Sequence, residues 1–225
     1  MIITIDGPTA SGKSTVAKLL ANRLNFVHLN SGLLYRGLAY ILVHFFKYTE
    51  AQLASPKQCD LDQIVTSLQY SYTQGQPKIF YHEQDITRDL KTKEIDNYAS
   101  ISSAVPQVRA SLMAIQRKIG EQQDVVAEGR DTGTIVFPQA ELKIFLTASL
   151  DVRARRWQSF MHHQGKDYSL LESIRLVDER DQRDINRQIA PLVPATGAVI
   201  IDSSTIDINT VIVQVCGLLG RMKTL

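Results

Sequence analysis

The sequence predicts an α/β protein: a three-layer αβα fold on a parallel, doubly wound sheet, with a β-rich inserted subdomain and a helical lid. Three observations predict it. Short β-branched runs alternate with stretches of helical periodicity, the pattern of a parallel sheet covered on both faces. A glycine-rich turn, "GPTASGKST", joins the first such run to the first helix. The alternation breaks once, between about Leu61 and Tyr98, where strand-like stretches flank a turn.

Ile2, Ile3 and Ile5 form the first strand, and Val16, Leu19, Leu20 and Leu24 then recur at helical spacing. "FVHL" predicts a second strand, followed by the helix "NSGLLYRGLAYILVHFF", apolar on nearly every side and therefore buried. "LQYSYTQ" and "KIFYH", separated by "QGQP", read as a hairpin inside the insert. Helical texture returns at "TKEIDNYASISSA", and Pro106 opens the next helix at a position where its missing N–H costs nothing. "DVVAEG" and "LKIFL" are buried strands around the loop "RDTGTIVFPQ". Charged helices over about 151–163 and 169–187, the strand "AVIID" and the helix "INTVIVQVCGLLGRM" complete the chain. The core is thus expected at 1–60 and 99–225, the insert at 61–98 and the lid at about 151–168.

At 225 residues the chain is long enough for one domain with a sizeable core and an insert. No apolar run approaches the ~20 residues of a membrane helix, and the N-terminus lacks the charged region of a signal peptide. The two cysteines, Cys59 and Cys216, sit in no metal or redox spacing, which favours reduced thiols and a cytoplasmic setting. A net charge of +2 is too small for bulk nucleic-acid binding. No nucleic-acid or membrane partner is expected, and a monomer suffices.

Gly7-x-x-x-x-Gly12-Lys13-Ser14 between a strand and a helix predicts a nucleoside-triphosphate site. Glycines let the backbone of Gly7, Pro8, Thr9, Ala10, Ser11 and Gly12 wrap a phosphate chain, with Thr15 on the helix behind it. Backbone N–H groups and the helix N-terminus supply partial positive charge. Lys13 adds a full cation, and the Ser14 hydroxyl can ligate Mg²⁺.

Glu128, ending a buried strand, fits a place beside the metal's water shell, against the plainer reading of a strand-end acid. Arg130 and Asp131, read alone, fit a solvated turn as well as a ligand site. Arg180, Arg183, Asp184 and Arg187 share one helical face, where three arginines repel one another unless an anion lies between them. Arg153, Arg155 and Arg156 stand near a helix N-terminus, where the dipole disfavours cations. They fit either a lid that carries charge to a transferring phosphoryl group or a basic surface helix. His162 and His163 read as exposed or loop residues and Trp157 as packing. With Arg36 and Arg109, these sets point to two phosphate-bearing ligands, a triphosphate donor and an anionic acceptor, against an ATPase or switch module that needs no acceptor.

The segments "IDGPTASGKST", "NSGLLYR", "AEGRDTGTIVFPQAELKIFLTAS" and "ERDQRDINRQIAPLVPA", in this order over nearly the whole chain, resemble those of the bacterial cytidylate kinases. The resemblance implies Mg²⁺-dependent phosphoryl transfer from ATP to CMP or dCMP, and an insert in the monophosphate-binding region. It implies that Ser31, Arg36, Arg130 and Arg187 hold the acceptor phosphate, that Ser100, Arg109 and Asp131 read cytosine, and that Arg180 and Asp184 hold the ribose. Lys13, Arg130, Arg153, Arg156 and Arg187 become the expected catalytic set. Kinases of UMP or AMP are the neighbouring alternative. An ionised Asp131 argues against them, because it accepts from the cytosine amine and repels the uracil oxygen. Two positions depart from the family pattern. Asn30 stands where an Asp is usual, and Lys91 where an Arg is frequent, so a bidentate contact there weakens to a point charge.

Overall fold

A computed structural model of the chain describes residues 1–222. Its central sheet contains β1 (Ile2–Asp6), β2 (Val27–Asn30), β6 (Val125–Gly129), β7 (Leu142–Thr147) and β8 (Val199–Asp202). They run parallel in the order β2-β6-β1-β7-β8, with β1 flanked by β6 and β7. Helices α1 (Lys13–Leu24) and α8 (Ile208–Met222) cover one face, where Ile3, Ile5, Leu20, Ile144 and Val215 pack together. Helices α2 (Ser31–His44) and α5 (Pro106–Gln122) cover the other around Leu34, Leu38, Leu112 and Ala127. This is the predicted three-layer αβα fold.

The helix boundaries follow local chemistry. Gly12, with φ 96°, precedes α1, and Asn25, with φ 58°, closes it in the left-handed conformation. The Asn30 side chain accepts from Leu33 N at the start of α2. A Ser169–Glu172 capping box opens α7 (Leu170–Asn186). Ser149 caps the lid helix α6 (Leu150–His163), which packs beside α7.

The span from Leu61 opens with a helix: Leu61 to Ser67 belong to α3 (Gln58–Ser67), where Leu61 and Ile64 sit three apart and are both fully buried in the core. The hairpin follows as β3 (Leu68–Thr73) and β4 (Gln76–Tyr81), extended by the short β5 (Gln84–Asp85). Helix α4 (Lys93–Ser102) then returns the chain toward α2. Lys91 is exposed, on the wall of the groove between insert and lid.

The glycine loop, the start of α2 and the loop bearing Arg130 and Asp131 leave the carboxyl ends of β1, β2 and β6, the ligand-binding edge of such sheets. At that edge Gly7 lies so close to β7 that an added Cβ would stand 2.0 Å from the Leu146 carbonyl oxygen, and its φ is 151°. Gly7→Ala is therefore expected to cost about 3 kcal/mol, lowering the melting temperature by roughly 6–12 °C. A wild-type melting curve for this variant would contradict the close approach.

Candidate active site

The glycine loop is held from three sides. Lys13 Nζ donates to the Pro8 carbonyl at 2.6 Å and lies 3.4 Å from Ser11 Oγ. Burial, then the neighbouring Arg130, holds the ammonium well below the usual lysine range. Asp181, buried on α7, accepts from Thr9 N at 2.8 Å and pairs with Arg153. Arg153 also donates to the Thr9 carbonyl at 3.1 Å and the Ala148 carbonyl at 2.9 Å. Arg156 donates to the Ser203 carbonyl at 2.7 Å and reaches the Ser11 carbonyl at 3.4 Å. Arg155 points elsewhere, pairing with Asp151 on the exposed side of the lid helix. The two inward arginines thus stand at a helix start because the loop carbonyls and Asp181 receive them.

Glu128 is the hub between β6, α1 and α2. Its Oε2 accepts from the Ser14 hydroxyl at 2.8 Å, and its Oε1 accepts from Asn30 Nδ2 at 2.7 Å and meets His28 Nε2 at 3.2 Å. Burial alone would raise this carboxyl, but the hydrogen bond and charge of His28, with Lys13 and Ser14, bring it below the usual glutamate range. The Asn30 departure now has a physical account. An aspartate in this pose would set two carboxylate oxygens 2.7 Å apart, where the amide instead donates. Tyr70 of the insert locks the same corner, its hydroxyl donating to the His28 carbonyl and accepting from Asn30 N.

These oxygens fit a magnesium site. A hydroxyl and a carboxylate are hard oxygen donors, and Mg²⁺ takes one or two protein oxygens beside substrate phosphates and water. Among the described residues no cluster of three or more His, Cys, Asp or Glu forms an all-protein metal cage.

From this corner a cleft runs past Ser31, Arg36 and Ser100 to Arg109 and Asp131, with Arg130, Arg180, Asp184 and Arg187 along its wall. Arg130 Nε pairs with Asp184 at 2.8 Å, while its Nη2 donates to Thr9 Oγ1 at 3.1 Å, so one guanidinium spans cleft wall and glycine loop. Asp131 pairs with Arg109 and lies 3.5 Å from Arg187. Arg109 in turn donates to the Ser103 carbonyl at 3.1 Å and stands 5.5 Å over the Tyr35 ring. Arg130, half-buried, and Asp131, buried, are thus network members rather than a solvated turn. Arg183 is the exception, exposed on α7 and absent from the cleft. Asp184, Asp131 and Asp96 stand among the remaining arginines and offset their repulsion. His162 is exposed and pairs with Asp167, and Trp157 packs on Tyr168 with centroids 4.9 Å apart.

The sequence of the Cytidylate kinase family matches residues 3–220. This chain belongs to that family. It is 40% identical over 214 residues to the cytidylate kinase of Marinomonas sp. (strain MWYL1), covering 94% of this chain and 92% of that one. It is 41% identical over 222 residues to the cytidylate kinase of Thermotoga neapolitana, covering 98% of both. A crystal structure of an uncharacterized protein from Eubacterium ventriosum superposes with a TM-score of 0.51 at 13% identity over 98% of both chains, a likeness of fold alone. Several residues of this cytidylate kinase family site escaped the sequence reading: Asp6, His28, Tyr70, Asp96 and Asp181. Asp6 accepts from the N–H groups of Thr132 and Gly133 and so orients the loop bearing Asp131. Its only local signal is a charge ending an otherwise apolar strand. Asp181 lay inside "ERDQRD" but off the face chosen for ligand contact.

Proposed function

We propose that this member of the cytidylate kinase family transfers the γ-phosphoryl group of ATP to CMP or dCMP, giving ADP and CDP or dCDP. The observation that carries this reading is one continuous cleft: Lys13 and Ser14 stand at one end, the Arg109–Asp131 pair at the other, and Arg130 between them contacts both the glycine loop and Asp184.

Gly7 to Thr15 would cradle the donor phosphates, with Lys13 on the outer ones. Magnesium, held through Ser14 with Glu128 on its water shell, would neutralise phosphate charge. Arg36, Arg130 and Arg187, with the Ser31 hydroxyl, would hold the acceptor phosphate, which is already anionic and needs no strong base. Positioning and cationic stabilisation of the equatorial oxygens then carry the rate. Arg153 and Arg156 would shape the donor side by anchoring lid to loop. Arg180 and Asp184 would hold the ribose. At the far end, Asp131 would accept from the cytosine amine while Arg109 and Ser100 donate to its ring acceptors. Uracil presents an oxygen to Asp131, and that repulsion favours cytosine. Among the described residues no helix is long and apolar enough to cross a membrane. Both cysteines are free, in keeping with a reducing, cytoplasmic setting.

ADP release from Mg·ATP, measured with no acceptor and then with CMP, dCMP, UMP or AMP, tests the reading. Strong stimulation by CMP and dCMP and little by UMP or AMP is expected. Equal turnover without acceptor would identify an ATPase instead.

A further inference from the structure

Three elements meet at one point of the cleft wall. Arg36 comes from α2, Arg180 from α7 and Asp96 from α4, one turn before Ser100 on the same helix face. Arg36 Nη1 lies 3.1 Å from Asp96 Oδ1, and Arg180 Nη1 lies 3.9 Å from Asp96 Oδ2. The other cleft carboxylates are engaged elsewhere: Asp131 with Arg109 and Arg187, Asp184 with Arg130 and Arg187, and Glu128 with Ser14, His28 and Asn30. Among the described residues Asp96 is therefore the one carboxylate within 4 Å of either Arg36 or Arg180. Arg36 also keeps a buried Nε–H that meets no hydrogen-bond partner.

We infer that Asp96 is a stand-in for the acceptor nucleotide: it engages Arg36, which would hold the phosphate, and Arg180, which would hold the ribose, and yields both when the nucleotide enters, so that it weakens and thereby sets acceptor affinity. This rests on reading the cleft as the acceptor site. The chemistry favours exchange over a permanent bridge. The three side chains are between 27% and 33% exposed, so the pairs are screened and weak, unlike the buried Arg109–Asp131 pair. A phosphate monoester brings a charge of about −1.5 to −2 and three acceptor oxygens, against one charge on Asp96. It also offers an oxygen for the orphaned Nε. Once it is bound, an ionised Asp96 beside it repels it, and Arg36 must be shared or released. Without the nucleotide, Asp96 instead offsets the mutual repulsion of Arg36 and Arg180.

The test is calorimetric titration of the intact protein with CMP and with dCMP, without ATP. Asp96→Asn keeps the shape and removes the charge, and it is expected to bind both nucleotides about three- to tenfold more tightly, with the KM for ATP unchanged. Asp96→Ser should move affinity in the same direction. A merely structural carboxylate would give no gain of affinity on removal. Unchanged or weaker binding of both nucleotides overturns the proposal. Weaker binding of CMP alone also overturns it, because Asp96 would then be an acceptor for the ribose 2′-hydroxyl. Arg36→Met separates this from the underlying reading. If it leaves CMP affinity intact, the cleft is not the acceptor site and both ideas fall. If it weakens CMP binding while Asp96→Asn gives no gain, only the stand-in role falls. In the double variant the gain from Asp96→Asn should shrink, since the two groups act through one another.

Discussion

Lys13→Met is expected to lower kcat about a hundred- to a thousandfold, the scale of removing a preorganised charge from a transferring phosphoryl group, and at the same time to raise the melting temperature of the nucleotide-free protein. The two effects have one cause. Lys13 is buried beside Arg130, and the fold holds its ammonium well below the usual lysine range, burial first and Arg130 second. A base whose folded pKa lies below its unfolded value destabilises the fold wherever the unfolded chain holds the proton more tightly. Here the penalty is full below the lowered value and fades as pH rises toward 10.5, the ordinary lysine value. At neutral pH the charge therefore costs stability, and a triphosphate is the anion that offsets it. ADP-release kinetics and scanning calorimetry measure the two sides. A variant with near-normal kcat, or one that melts earlier than wild type, would contradict this account of Lys13.

Asp131→Asn should lower the ratio of kcat/KM for CMP over UMP by roughly ten- to a hundredfold, the value of one well-made base-edge contact. Most of the change is expected as a loss on CMP. The amide can present either its oxygen or its NH₂ group, so uracil is no longer repelled by a fixed charge. Asp131 also neutralises Arg109 and Arg187 in a buried setting, so the variant should be less stable by about 3–5 kcal/mol, the cost of breaking a buried pair. The substrate ratio is independent of the folded fraction and separates specificity from stability. An unchanged ratio in a folded variant would remove Asp131 from base reading and leave it as the anchor of two arginines.

Both predictions begin from residues visible in the sequence, because their signals are local. Glycines at fixed spacing before Lys13 and Ser14 specify a turn, and the flanking β-branched and helical periodicities specify what it joins. The order of strands and helices and the hairpin were legible for the same reason. Helix α3 is not legible in this way, because Leu61 and Ile64 carry helical periodicity over too few residues before the strand-like run begins.

By itself the sequence determined the layered α/β architecture, the phosphate loop and a supply of arginines larger than surface solvation needs. Only the tertiary structure decided how those arginines are shared. Asp181 meets the glycine loop across 172 residues, Glu128 gathers His28, Asn30 and Ser14 from two other chain segments, and Asp96 joins Arg36 to Arg180 between α2 and α7. Arg183 shares the helical spacing of its neighbours yet stays exposed outside the cleft, because only part of the charged side of α7 lines it. The physical reason is range. Turn and periodicity signals act within a few residues, whereas a buried charge is satisfied by whichever opposite charge the packed sheet edge brings within about 4 Å, and chain order does not encode that distance.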